Sequence, residues 1–126
     1  MWKHADLDHE KVAYCGYSSG AVRGELIPAI EPRIKTNILA LGGIDFQRSL
    51  PEVDVVNFVP RVKQRTLMRN GKYDFFFPEL SSQEPFYRML GAKKEHLIYD
   101  SGHNVPRNEW IKEILHWLDR GLRAAQ

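Results

Sequence analysis

The sequence predicts an α/β fold: a parallel sheet of about four strands with flanking helices. Two observations carry that expectation. Short apolar runs of strand length alternate along the chain with stretches of helical periodicity, and the runs tend to end on glycine. In addition, 126 residues that are 43% hydrophobic and 27% charged suit one globular domain with a modest core, residues 1–126.

Lys11 to Cys15 (KVAYC) is the first run, bounded by Gly16; Lys35 to Leu41 (KTNILAL) is the second, bounded by Gly42 and Gly43. Both read as buried strands. Arg65 to Arg69 (RTLMR) and His96 to Tyr99 (HLIY) supply two more. Ser19 to Ile30 reads as a helix that Pro28 kinks or shortens, because proline has no amide hydrogen. Ile44 to Val62 is irregular and reads as a loop holding one short helix. Glu79 to Leu90 is helix-like and stops at Gly91. In the last segment Ile111, Ile114, Leu115, Leu118 and Leu122 fall on one helical face, flanked by Trp110 and Trp117.

Charge and cysteine content exclude several classes. The net charge is +2, and the 18 basic residues are scattered among 16 acidic ones with no block to track a phosphate backbone, so nucleic acid is not an expected partner. The start, Met1-Trp2-Lys3-His4, opens no apolar targeting segment, and no membrane association is expected. Cys15 is the sole cysteine, which excludes an internal disulfide. A cytoplasmic location follows as the expectation.

Gly16-Tyr17-Ser18-Ser19-Gly20 is G-x-S-x-G directly after a strand and before a helix, the setting of a nucleophile elbow. Side chains two residues either side of the nucleophile are expected to collide with neighbouring backbone. Ser18 has Gly16 and Gly20 at those positions, whereas Ser19 has Tyr17 and Ala21, so Ser18 is the expected nucleophile. The Ser19 backbone N–H then faces the oxyanion. Asp74 follows the third strand and His103, in Ser101-Gly102-His103, follows the fourth, which puts both at the sheet edge where sites collect.

GYSSG, LMRNGKYDFFFP and YDSGHNVPRNEWIKEILHWLDRGL resemble the C-terminal half of an α/β hydrolase, closest to the dienelactone-hydrolase-like and acyl-peptidase-like esterases. The resemblance runs from about Asp8 onward. It implies a truncated, half-size α/β-hydrolase fold with Ser18 as nucleophile, Asp74 as acid and His103 as base. The triad implies ester hydrolysis through an acyl-enzyme with neither metal nor organic cofactor, and without a full set of loops or a lid an open site for small, short-chain carboxylic esters is expected. Two departures stand out. The family places a bulky aromatic and a glycine pair after the nucleophile, where this chain has Ser19 and the single Gly20. The family also has four strands before the elbow strand, and a loop there gives the second oxyanion donor; here the elbow comes at residue 16, after Met1 to Leu7, which resembles the stub of a helix. A catalytically impaired hydrolase-like interaction module, or a gene fragment, is the alternative.

Tyr17, Phe75 and Phe76 are expected to wall the substrate pocket, although aromatic residues beside a sheet edge are more often core. His4, Asp6, Asp8 and His9 match no common metal-site spacing. Cys15 is expected to be buried and inert, His116 to lie on a surface, and Asp100 to be a poorer partner for His103 than Asp74. An elbow strand at the outer edge of a four-stranded sheet leaves unpaired backbone, and with the final helix it leaves apolar surface; a homodimer or higher homo-oligomer is therefore expected.

Overall fold

Four apolar segments pair side by side into one parallel sheet in the order β1-β2-β3-β4. The computed structural model describes residues 7–123. Its elements are β1 (Val12–Tyr17), α1 (Ser19–Arg23), α2 (Ile27–Ile30), β2 (Ile34–Ala40), β3 (Arg65–Gly71), α3 (Glu84–Met89), β4 (Lys94–Tyr99) and α4 (Arg107–Arg123). The N-terminal residues read as a helix stub, Leu7 apart, lie outside the described residues, as do His4 and Asp6. None of the described helices is long and apolar enough to cross a membrane.

Burial explains the sequence of the two inner strands. Six of the seven residues of β2 are buried, and so are six of seven in β3, because both faces are covered. Neighbouring side chains then serve opposite layers. Leu39 and Met68 join Ala21, Val59, Val62, Phe86 and Leu90 on one face, whereas Ile38 and Leu67 pack with Trp117 on the other.

Several elements differ from expectation. The helix over 19–30 is two short helices: Gly24 N–H bonds the Gly20 and Ala21 carbonyls, the chain turns, and Pro28 sits in the first turn of α2, where its missing N–H costs nothing. The 44–62 region holds two 3₁₀ turns, Val55–Asn57 and Val59–Arg61, and sends Val59 and Val62 into the core. The helix-like run after Pro78 begins as a π-helical turn, Glu79–Gln83.

The final helix is rotated from the face its apolar pattern predicted. Trp117 and Gly121 face the sheet, with Trp110, Ile114 and Leu118 around Trp117, and Ile111 and Leu115 are exposed. Polar anchoring accounts for this. Trp117 Nε1 donates to Thr36 Oγ1 at 2.7 Å, and Gly121 lets the helix approach: a Cβ there would lie 3.3 Å from Thr36. Cys15 is likewise exposed, against expectation, because among the described residues β1 is an outer strand with one neighbour only. Nearby protein still pushes its thiol pKa up, away from the reactive thiolate.

Glu25 is wholly buried in the link between α1 and α2, and neither carboxylate oxygen has a hydrogen-bond partner among the described residues. Burial, aided by the negative charges of Asp54 and Asp45, raises its pKa to about 9. The folded chain therefore holds a proton on Glu25 that the unfolded chain releases above its ordinary value of 4.5. Between those values the native state binds more protons, so this group's contribution to stability is full at acid pH and falls as pH rises toward about 9. Glu25→Gln is expected to match the wild type near pH 4.5 and to be more stable at pH 8, as read from urea unfolding; parallel stability profiles would contradict the assignment.

Candidate active site

All three predicted polar groups emerge at the C-terminal edge of the sheet. After β1 the chain turns sharply into α1, and Ser18 occupies the turn with φ 52° and ψ −114°, a conformation that non-glycine residues rarely adopt. Its N–H donates to the Ala40 carbonyl at 2.8 Å, and its carbonyl accepts from the Ala21 and Val22 N–H groups. The strain is thus held by bonds on both sides.

The two elbow glycines differ in their reason for being there. A Cβ on Gly16 would lie 2.4 Å from the Gly20 carbonyl oxygen and 2.8 Å from the Ala21 nitrogen. A Cβ on Gly20 would meet nothing within 4 Å. The expected collision exists at Gly16 alone, since Gly20 points its missing side chain into open space.

Asp74 and His103 meet because two loops touch. A Cβ on Gly71, at the end of β3, would lie 1.8 Å from the Gly102 carbonyl oxygen, so only glycine permits this approach. Lys72 N–H donates to Tyr99 O and Tyr73 N–H to Ser101 O, both at 2.9 Å, which runs the loop after β3 against the loop after β4. From below, the buried Gln83 side chain donates to the Gly71 carbonyl at 2.8 Å and to the Phe77 carbonyl at 2.7 Å. Asn70 ties the edge together: its Nδ2 donates to Gly42 O at 2.8 Å, and its Oδ1 lies 3.0 Å from His96 Nε2. Burial and the Arg69 charge lower the His96 pKa to about 4, so the ring is neutral and Nε2 carries the donated hydrogen.

The resulting geometry is a relay. Asp74 is buried; its Oδ1 accepts from the Phe76 and Phe77 N–H groups at 2.9 and 3.2 Å, and its Oδ2 lies 2.7 Å from His103 Nδ1. His103 Nε2 lies 2.8 Å from Ser18 Oγ. A carboxylate only accepts, so Nδ1 bears the hydrogen that points at Asp74, which leaves Nε2 as the ring atom facing the Ser18 hydroxyl. Ser19 is the first residue of α1, so its N–H has no acceptor within the helix. Asp100 and His116 are exposed and stand outside this relay. Among the described residues no group of three or more His, Cys, Asp or Glu side chains is arranged to hold a metal ion.

Aromatic rings surround His103. Phe76 meets it edge-on at 4.9 Å between centroids, Tyr17 at 6.4 Å, and Phe77 lies nearly parallel at 6.1 Å. Of the three consecutive phenylalanines only Phe77 is core, at 1% exposure; Phe75 and Phe76 are 73% and 45% exposed, because the Asp74 turn faces solvent at the sheet edge. Sequence reasoning missed Phe46, whose ring packs at 6.0 Å on Phe76 and 5.3 Å on Phe77. Its segment has no periodicity, and no local signal marked it.

No protein-family model matches the chain, and no curated protein matches it in sequence. Solved structures do. A cold-adapted esterase from an Arctic intertidal metagenomic library superposes with a TM-score of 0.77 at 24% identity, over 89% of this chain and 49% of that one. Acetyl xylan esterase 1 from Thermoanaerobacterium sp. gives 0.73 at 21% identity, over 93% and 48%. An acylaminoacyl peptidase from Pyrococcus horikoshii gives 0.73 at 15%, over 91% and 25%. The chain has the fold of the C-terminal half of an α/β hydrolase. It spans about half the length of the two esterases it matches.

The two glycines give a direct check of the elbow. Gly16→Ala is expected to cost about 2 kcal/mol or more, because backbone must move to admit the Cβ. Gly20→Ala is expected to change stability by less than about 1 kcal/mol. Thermal unfolding of both variants reads the contrast, and equal losses would contradict the geometry.

Proposed function

We propose that this chain is a serine hydrolase that cleaves short-chain carboxylic esters through Ser18, His103 and Asp74. The observation that carries the reading is the unbroken hydrogen-bond relay from the buried Asp74 carboxylate through His103 to Ser18 Oγ, at 2.7 and 2.8 Å. The superposition on esterases supports the same class.

The mechanism follows from those contacts. Ser18 Oγ attacks the ester carbonyl carbon while His103 Nε2 takes its proton. Asp74 stabilises the imidazolium through the Nδ1 hydrogen, and the Ser19 N–H donates to the oxyanion. The proton then passes from His103 to the leaving alkoxide oxygen, the carbonyl–oxygen bond breaks, and an acyl group remains on Ser18. Water repeats the sequence: His103 takes its proton, the hydroxide adds to the acyl carbon, and Ser18 leaves with the proton returned. One oxyanion donor is assigned here, and losing one donor of a pair typically costs roughly 100- to 1,000-fold in rate. Tyr17 and Phe76 lie against His103 and Phe75 packs on Phe76, which supports these three rings as the substrate-facing walls. A lone thiol suits a reducing compartment, which supports a cytoplasmic site of action.

Ser18→Ala, His103→Ala and Asp74→Asn are each expected to lower kcat/KM for an activated short-chain ester by about 10³-fold or more with little change in thermal stability. Combining them is expected to add little, since the three act as a unit. Wild-type turnover by folded Ser18→Ala would overturn the assignment.

A second copy of the chain is the proposed partner. Among the described residues β1 has a strand neighbour on one side only, and Leu115, Leu118 and Leu122, with Lys11, Asp119 and Arg123, line an open groove. Exposed Ile111 and Leu115 on α4 extend that apolar surface. Light scattering at micromolar concentration is expected to give twice the chain mass or a higher multiple; a stable mass of 14.6 kDa for active protein would contradict assembly.

A further inference from the structure

A cavity of about 180 Å³ lies between α1 and the irregular segment that follows β2. Val22, Phe46 and Val55 give it apolar walls, and Ser19, Ser49 and Arg23 supply polar groups. Three larger grooves, two of about 370 and 520 Å³ along α4 and one of about 210 Å³ beside Val12 and Arg33, include no member of the relay. The smaller cavity lies beside the nucleophile turn and is linked to His103 through the rings of Phe46 and Phe76. Ser19 directly follows the nucleophile candidate, and Phe46 packs on Phe76, whose edge faces His103.

Size and lining restrict the occupant. Pockets for drug-sized molecules run to roughly 300–1,000 Å³, so this one admits only a small group. A group reaching it from an acyl carbon on Ser18 passes the Ser19 backbone and meets the two valines and the Phe46 ring. An acetyl group is too short to gain from those walls. A long fatty chain overfills the space and must displace Phe46, which is half exposed and held by the rings of Phe76 and Phe77.

We propose that this cavity is the acyl-binding pocket, that it takes unbranched apolar acyl groups of about butanoyl size, and that Phe46 sets the upper limit of chain length. The inference rests on the esterase reading and adds to it a pocket and a substrate class. Burying each further methylene against apolar walls contributes about 0.8 kcal/mol, so two methylenes beyond acetyl favour the transition state by roughly tenfold.

The test uses three esters with one leaving group: p-nitrophenyl acetate, butanoate and decanoate, with kcat/KM measured on the whole chain. The wild type is expected to favour butanoate about tenfold over acetate and to lose rate on decanoate. Phe46→Ala is expected to raise the decanoate-to-butanoate ratio, because the limiting ring is gone. Val55→Phe is expected to bring the butanoate-to-acetate ratio down to about one by filling the cavity. Thermal unfolding identifies the variants that fold, and either one suffices, since they move opposite ratios. A flat chain-length profile, or ratios unmoved in the folded variants, would overturn the pocket while leaving Ser18 as nucleophile. Absence of turnover on every ester by folded wild type, with Ser18 unlabelled by a fluorophosphonate, would instead overturn the esterase reading and this inference with it.

Discussion

The backbone contact between Gly71 and Gly102 is the constraint on which the candidate site depends. Parallel strands deliver Ser18, Asp74 and His103 to one edge of the sheet, but they do not by themselves close the last few ångströms between Asp74 and His103. That closure needs the ends of β3 and β4 to run in contact, and no side chain at position 71 allows it. The loop bonds from Lys72 and Tyr73 then fix the spacing, so the 2.7 Å contact between carboxylate and imidazole is dictated by backbone. Rigid supports of this kind favour catalysis because little reorganisation remains when charge develops.

Buried polar groups extend the same logic outward. Gln83 grips two carbonyls of the Asp74 loop, Asn70 links the end of β2 to β4 through His96, and Thr36 anchors Trp117. Each pairing offsets the desolvation of a group that would otherwise destabilise the fold. Glu25 differs in that both of its carboxylate oxygens are buried without a partner among the described residues, and it is tolerated as a protonated acid. On the other face Arg69 pairs with Glu113, which also accepts from Tyr99, and this seats α4 under the strand that leads to Asp74.

Much of this was legible in the sequence, and the failures have physical reasons. The four strands and their parallel order followed from apolar runs ending at glycine, because strands buried on both faces leave that record. Ser18, Asp74 and His103 could be placed at strand ends from spacing alone. The orientation of α4 was not legible: its pattern favours Ile111 and Leu115, whereas the Trp117–Thr36 bond and the cleft at Gly121 select another face. The exposure of Cys15 depends on β1 being outermost, a property of the sheet and not of the strand. Gly20 matched the motif, yet its Cβ direction is open, so motif and steric need were separable only in three dimensions. Phe46 lies in a segment whose residues enter the site region through long-range packing.

In the proposed function His103, oriented by Asp74, activates Ser18 and no other hydroxyl. Incubation with a fluorophosphonate followed by peptide mapping in a mass spectrometer tests it most directly. The predicted result is a single adduct on Ser18 in the wild type, and folded His103→Ala protein left unlabelled. An adduct on Ser19, or labelling of Ser18 that is equally fast without His103, would contradict it.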